Sequence, residues 1–513
     1  MVAGPARCGR CGVLRGDGTG SAYALLLAVV IALAVPDGAA AQHEQHARPP
    51  AGVPERPDTG VPAIRSEARG LPARSPRTLE VVGDGSLVEA VATAVPGDTI
   101  VVLGAHRGDL RIRVPLVLTG RGPGARVIGS GTGTVVSVEA DSVEVRGLRI
   151  GGSGASLERD DAAIKLLRCR GCRIEDNRIE DALHGIYLLE SAAVRVEGNR
   201  IRGRADLEEA RRGNGIHLYA SSSNRIERNH VRGARDGIYF SFADDNDVTG
   251  NDVARLRYGL HYMYSDDNRF RGNHFARNAA GAAIMFSDRV EFRENVFSHH
   301  TGARAYGIVL QTAAQIVAEG NRIEGNVVGL FMDNAVTSVF RRNAIAGNGV
   351  GIDMLSSAEG NRFTENAIVG NRVAVRRQGE SGVNEWAVDG RGNYWGDASV
   401  LDLDGDGVGE RAYEAGDPFV SLAAGKPALS LLQGTPAARA LGWAERAFPV
   451  VDLPHVRDPH PLAALPAGVP VSRTAAAGGG IELPALALAA LLIALIPVVF
   501  ERARRFHSAE ARR

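Results

Sequence analysis

Near the middle of the chain, two thioethers and an imidazole recur at fixed spacing. His261 and Met263 are two residues apart, and Met285 follows Met263 by 22 residues. Thioether sulfur and imidazole nitrogen are the donors that a soft ion such as Cu(I) prefers. On an extended strand His261 and Met263 point to one side, about 6.6 Å apart along it. His217, 44 residues before His261, is a weaker candidate for the same chemistry. The plain alternative is an apolar strip of Met and aromatic side chains, covered by a partner or by the tail of the chain.

Three other groups carry chemistry. Asp402, Asp404 and Asp406, followed by Gly407, have the spacing that opens a calcium loop. The twelfth position of that loop is Tyr413 instead of a bidentate Glu. A calcium-stapled turn and an acidic turn bonded to its own backbone both fit. Cys169 and Cys172 form Cys-x-x-Cys with no second pair in the mature region, which favours a local disulfide over a metal or redox centre. Asp244-Asp245, Asp266-Asp267 and Asp288 recur at one corner and need Arg269, Arg289 or a cation to offset them.

These residues are placed by an internal repeat. Asparagines recur at 177, 199, 229, 251, 273, 295, 321, 343 and 366, mostly in steps of 22. Gly-aliphatic pairs keep the same rhythm at Gly185, Gly215, Gly237, Gly259, Gly307, Gly329 and Gly351. Short alternating segments with a fixed period predict a right-handed parallel β-helix of about 22 residues per rung. In such a solenoid Asn suits left-handed turns and hydrogen-bonds to the Asn one rung away, while Gly suits the corner before each strand. Counting from each Gly, positions one and three are apolar and point inward, which places Met332 and Met354 in the core. Positions two and four point outward and hold Tyr187, His217, Tyr239 and His261, then Tyr219, Ser241, Met263 and Met285. Extra residues at 205–212 and 298–301 mark loops projecting from the stack.

The rest of the chain reads as export, capping and anchoring. Residues 1–41 have the basic, apolar and small-residue pattern of a signal peptide, whose cleavage removes Cys8 and Cys11. Residues 42–78 read as a flexible leader, and 79–378 as the β-helix, opened by a helix carrying Leu87, Val88, Val91 and Ala94 on one face. Residues 379–470 read as a C-terminal cap and packed tail, and 471–482 as a linker. Residues 483–500 are apolar without charge and are followed by Arg502, Arg504 and Arg505, the pattern of a transmembrane helix with a cytoplasmic tail at 501–513. A formal net charge of +0 argues against a nucleic-acid partner.

Arg235-Asp236-Gly237-Ile238-Tyr239-Phe240, Arg257-Tyr258-Gly259-Leu260-His261-Tyr262-Met263-Tyr264-Ser265, Met285-Phe286-Ser287 and Gly392-Asn393-Tyr394-Trp395 resemble the NosD family. The resemblance runs from about residue 79 to 462 and is most specific at 257–265. It implies a periplasmic accessory protein, not an enzyme, for maturation of nitrous oxide reductase, held here at the inner membrane by its C-terminal helix. The implied partners are an ABC-type ATPase, its membrane permease subunit, a copper-donor lipoprotein and the apo-reductase, with copper or sulfur as cargo. Two rivals remain open on the residues alone. A polysaccharide lyase or epimerase, or a carbohydrate-binding relative, is common on this fold, but the outward columns show no acid–base pair beside an Arg or Lys. A metal-free scaffold that docks the apo-reductase uses the same surface without the ion.

Overall fold

In the computed structural model, residues 74–83, 86–303, 305–378, 382–396, 398–415, 435 and 456–471 are described. The signal peptide, nearly all of the leader and linker, the 483–500 segment and the cytoplasmic tail lie outside them. Among the described residues, no helix is long and apolar enough to cross a membrane.

Each rung contributes one strand to each of three sheets, of 13, 12 and 13 strands. One rung supplies Tyr258–Met263, Arg269–Arg271 and His274–Ala276, and the next supplies Ala280–Asp288, Glu291–Arg293 and Val296–Ser298. Pairing between these rungs is parallel and in register on all three sheets. A parallel stack must bury side chains between its sheets, so inward positions run apolar along the axis. Met332 and Met354 are 0% exposed in that core, as alternation from the Gly requires. Phenylalanines stack at the same inward position of successive rungs, Phe270 on Phe292 and Phe275 on Phe297.

The asparagine series forms a continuous buried ladder. Asn273 shows its geometry. Its Oδ1 accepts the backbone N–H of Asn251 at 3.0 Å and the Asn251 Nδ2 at 2.9 Å. Its own Nδ2 donates to Asn295 Oδ1 at 2.9 Å and to the Val248 carbonyl at 2.8 Å. The ladder runs on to Asn393. Two further series lie at the other corners, Asn224-Asn246-Asn268 and Asn326-Asn348-Asn371. In the last of these His300 takes the place of an Asn, accepting the Asn278 N–H at Nδ1.

Two expectations about turn residues are corrected. The left-handed position belongs to the residue before each ladder Asn, such as Asp176, Arg228, Gly250, Gly272, Glu294 and Arg342. The Asn itself turns inward to satisfy buried backbone groups, which is a hydrogen-bonding task. The Gly of these pairs lies inside the strand, as at Gly237, Gly259 and Gly329, except Gly215, which immediately precedes the strand Ile216–Tyr219. A Cβ on Gly259 would stand 2.6 Å from the Gly281 carbonyl oxygen and 2.8 Å from Phe275 Cδ1. Close approach between rungs, not turn geometry, demands glycine there.

At the N-terminal end the helix Ser86–Ala92 buries Leu87 and Val91 against the first strands. Val88 departs from the expected apolar face, being 41% exposed. At the other end Asp458 is wholly buried. It accepts the Asn393 N–H at 2.7 Å, Trp395 Nε1–H at 2.8 Å and the His460 N–H at 3.1 Å. Trp395 in turn stacks on Tyr413, which lies in the strand Tyr413–Ala415 paired with Val456–Asp458. Further along the tail Val469 packs on Ala344 and Ala367 of the third sheet.

Candidate soft-metal face

The outward columns of the 12-stranded sheet carry the candidate donors. Met263 and Met285 are direct register partners on neighbouring strands, and both are partly exposed. Their Cα atoms are therefore about one inter-strand spacing, ~4.8 Å, apart. His261 stands on the same side of the same strand as Met263, its side chain 13% exposed. An aromatic residue follows each of Ser241, Met263 and Met285. Phe242, Tyr264 and Phe286 stack with ring centroids 5.3 and 5.1 Å apart, each in the left-handed conformation.

His261 is held from behind. Its Nδ1 lies 3.0 Å from Asp236 Oδ2, one rung below. Asp236 is 0% exposed and also takes Arg257 in a fork, Nε to Oδ1 at 2.9 Å and Nη2 to Oδ2 at 2.6 Å. Burial alone would push this carboxyl up, but the hydrogen bonds from His261 and Arg257 overcome it and hold the pKa at about 2. The ionised carboxylate only accepts, so Nδ1 of His261 carries a proton, and in the neutral ring Nε2 then keeps the lone pair. Arg257 Nη2 also lies 3.4 Å from Nδ1, farther than the carboxylate oxygen at 3.0 Å, which is the closer partner of the ring nitrogen. Tyr239 and Tyr258 flank the ring, 4.8 and 5.0 Å away between centroids.

His217 is not brought into this group. The Tyr239 ring stands between the two imidazoles, 4.5 Å from His217 and 4.8 Å from His261. Its Nδ1 faces the Asn214 amide at 3.3 Å, and its Nε2 is buried without a protein partner. Alternation correctly puts Tyr187 and His217 outside the solenoid, yet Tyr187 is buried. One loop reaches Tyr187, and a second packs on the neighbouring His184. Residues 153–161 bring Asp160 to the Tyr187 hydroxyl and the Arg159 carbonyl to Lys165. The inserted loop ends at Gly213, packed tightly against Leu183 and His184.

His184 went unremarked in the sequence. It is 2% exposed, and its Nδ1 accepts the Asn214 N–H at 3.0 Å, so the proton sits on Nε2 and no lone pair is left for an ion. Burial, with smaller effects from Arg235 and Lys165, lowers its pKa to about 3. Unfolded, it takes a proton below its ordinary value of 6.5. The unfolded state therefore binds more protons between these limits, and stability falls as pH drops from 6.5 towards 3. Denaturant titrations across that range should show a shallower acid decline in His184→Gln. An unchanged slope would show that His184 does not titrate this way.

The acidic turns have local partners. Asp244, Asp266 and Asp288 each accept a backbone N–H from the rung above, at 2.8, 2.9 and 3.1 Å. Arg289 pairs with Asp267 at 2.7 Å and Arg269 with Asp245 at 3.5 Å. Cys169 and Cys172 form a disulfide in the core. In the Asp402 turn, carboxylate oxygens of Asp402, Asp404 and Glu410 lie within 4.8 Å of one another. Asp406 is not in that group, and its Oδ1 accepts the Val408 N–H at 2.7 Å. Glu410 is the acid the sequence reading missed, because it lies at the ninth position of the loop and not the twelfth.

Fold and face together define a parallel β-solenoid carrying thioether and imidazole donors on one outward sheet. Residues 197–400 match the family model described as "Periplasmic copper-binding protein (NosD)". The chain is 36% identical over 387 residues to a "Probable ABC transporter binding protein NosD" of Pseudomonas aeruginosa, covering 72% of this chain and 88% of that protein. A protein of the same name from Stutzerimonas stutzeri is 34% identical over 384 residues, covering 71% and 86%. The chain belongs to the NosD family. Among solved structures, it is similar to DFA-IIIase from Arthrobacter chlorophenolicus A6 without its lid, at 13% identity and a TM-score of 0.40, covering 57% of this chain and 92% of that one.

Proposed function

We propose that this chain is a periplasmic copper carrier, not an enzyme, and that Met263, Met285 and His261 receive Cu(I) transiently on the outer face of the solenoid. The register of Met263 on Met285, beside an imidazole on the same strand, is the observation that carries the reading. Thioethers and a neutral imidazole offer lone pairs to a soft cation, and the nearby Arg257 guanidinium is already paired with Asp236, which favours copper over a sulfur anion as the cargo. The family's description as periplasmic and copper-binding supports the metal, and the relatives' printed name supports an ABC transporter as partner. In this reading the ABC-type ATPase and its permease are the membrane partners with which the protein works. A copper-donor lipoprotein supplies the ion, and apo nitrous oxide reductase receives it. The test is Cu(I) competition between the purified protein and a chromogenic chelator, with ascorbate as reductant. One equivalent retained is expected; no retention beyond free ion would favour the metal-free docking scaffold.

The helix Ser86–Ala92 is read as the cap that shields the open N-terminal end of the core, and residues 483–500 as the membrane anchor. Deleting the chain from Leu483 onward is expected to release the protein into the soluble periplasmic fraction. Continued fractionation as an integral membrane protein, without the transporter present, would overturn the anchor.

A further inference from the structure

Resting on the copper reading above, we infer that Asp236 is the positioning residue of the site: with Arg257 it locks His261 in the Nδ1–H tautomer and so presents Nε2 to the ion. Three observations lead to this. Asp236 is 0% exposed on a sheet face that otherwise points outward, and a buried carboxylate persists only where donors satisfy it. Its Oδ1 is used by Arg257 Nε at 2.9 Å, and its Oδ2 is shared by Arg257 Nη2 at 2.6 Å and His261 Nδ1 at 3.0 Å. Arg257 is itself fixed, its guanidinium lying 4.7 Å from the centre of the Tyr258 ring.

The carboxylate therefore has no rotational choice, and the imidazole has none either. Neutral imidazole carries one proton, and a carboxylate behind Nδ1 draws it there, which raises the basicity of Nε2 and fixes its direction. Tyr239 and Tyr258 limit the tilt of the ring from two sides. Met263 and Met285 are flexible donors that adapt to an ion, so the rigid element of the site must be the histidine. Asp236 reaches it from the rung below, 25 residues earlier in the chain.

Asp236→Asn tests this, because an amide offers one acceptor oxygen where the carboxylate offers two. One arm of the Arg257 fork or the His261 bond must then face an N–H donor. In the metal-free, 15N-histidine-labelled protein, two-dimensional NMR reports the tautomer of His261 directly, with assignment by comparison to His261→Gln. The wild type is expected to show protonated Nδ1 and bare Nε2, and Asp236→Asn to lose that preference. Cu(I) affinity measured by chelator competition should fall about 10–100-fold, the usual cost of losing such a partner. Because the variant can also be unstable, its fold is checked by the dispersion of the remaining amide signals. A wild-type His261 with the proton on Nε2 would overturn the inference whatever the copper result. So would a folded variant with the altered tautomer and unchanged affinity. A wild type with the expected tautomer but no affinity for Cu(I) would instead overturn the copper reading and leave the Asp236–His261 geometry standing.

Discussion

A chain carrying Met263→Leu and Met285→Leu together is expected to fold as the wild type and to lose Cu(I). Leucine keeps the bulk and apolarity of methionine, so a swap on a partly exposed strand costs little stability, less than about 1.5 kcal/mol per site. What disappears is the pair of polarizable sulfur donors that register places one strand spacing apart. Losing an outer-shell partner of a metal ligand commonly costs 10–100-fold in affinity, so losing two ligands should cost at least on the order of 100-fold. In cells the reductase should then lack its copper clusters. Chelator competition and reductase activity check the two halves separately. Full activity with the double variant would remove these sulfurs from copper handling and leave the docking scaffold as the better account.

The second large effect lies in the ladder. Asn273→Ala is expected to destabilise its rung by about 4 kcal/mol, from unmet hydrogen bonds of roughly 1–3 kcal/mol each. The Asn251 N–H and Nδ2 lose their acceptor, and the Val248 carbonyl and Asn295 Oδ1 each lose a donor. All of these groups are buried, and a small cavity adds to the cost. Solenoid repeats lean chiefly on their neighbours, so hydrogen exchange should accelerate around residues 248–295 before it does at the ends. Uniform exchange along the chain, or a loss under about 1 kcal/mol, would show that the ladder is ornamental to stability.

The parts of this structure legible in the sequence are those the stack must repeat. A ladder works only if each rung offers an amide at the same height, so Asn recurs at 251, 273 and 295 and reveals the period. Alternation from Gly329 and Gly351 then places Met332 and Met354 inside, because pleating is as regular as the stack. The same count sets Met263 and Met285 outside and side by side.

What has no period stayed hidden. Loops 153–161 and 205–212 occur once each, so nothing in the repeat foretold that Tyr187 and His184 are buried. The bond from Asp236 to His261 crosses diagonally between rungs and joins columns three residues apart, so 22-residue spacing does not reveal it. The glycines were misjudged for a related reason. A residue pattern shows that glycine recurs, while only the Gly281 carbonyl lying 2.6 Å from a Cβ on Gly259 shows why. Glu410 is not legible from the calcium-loop spacing because it closes the acidic turn at the ninth position, where a twelve-residue loop has its bidentate Glu at the last.

The most direct measurement is X-ray absorption at the copper edge on the purified protein loaded with one equivalent of Cu(I) under ascorbate. Sulfur scattering from two thioethers together with one imidazole is expected, and the sulfur contribution should vanish in the Met263→Leu, Met285→Leu chain while the imidazole signal weakens. Copper bound only through nitrogen and oxygen, or a spectrum unchanged in that variant, would contradict a site built on Met263, Met285 and His261.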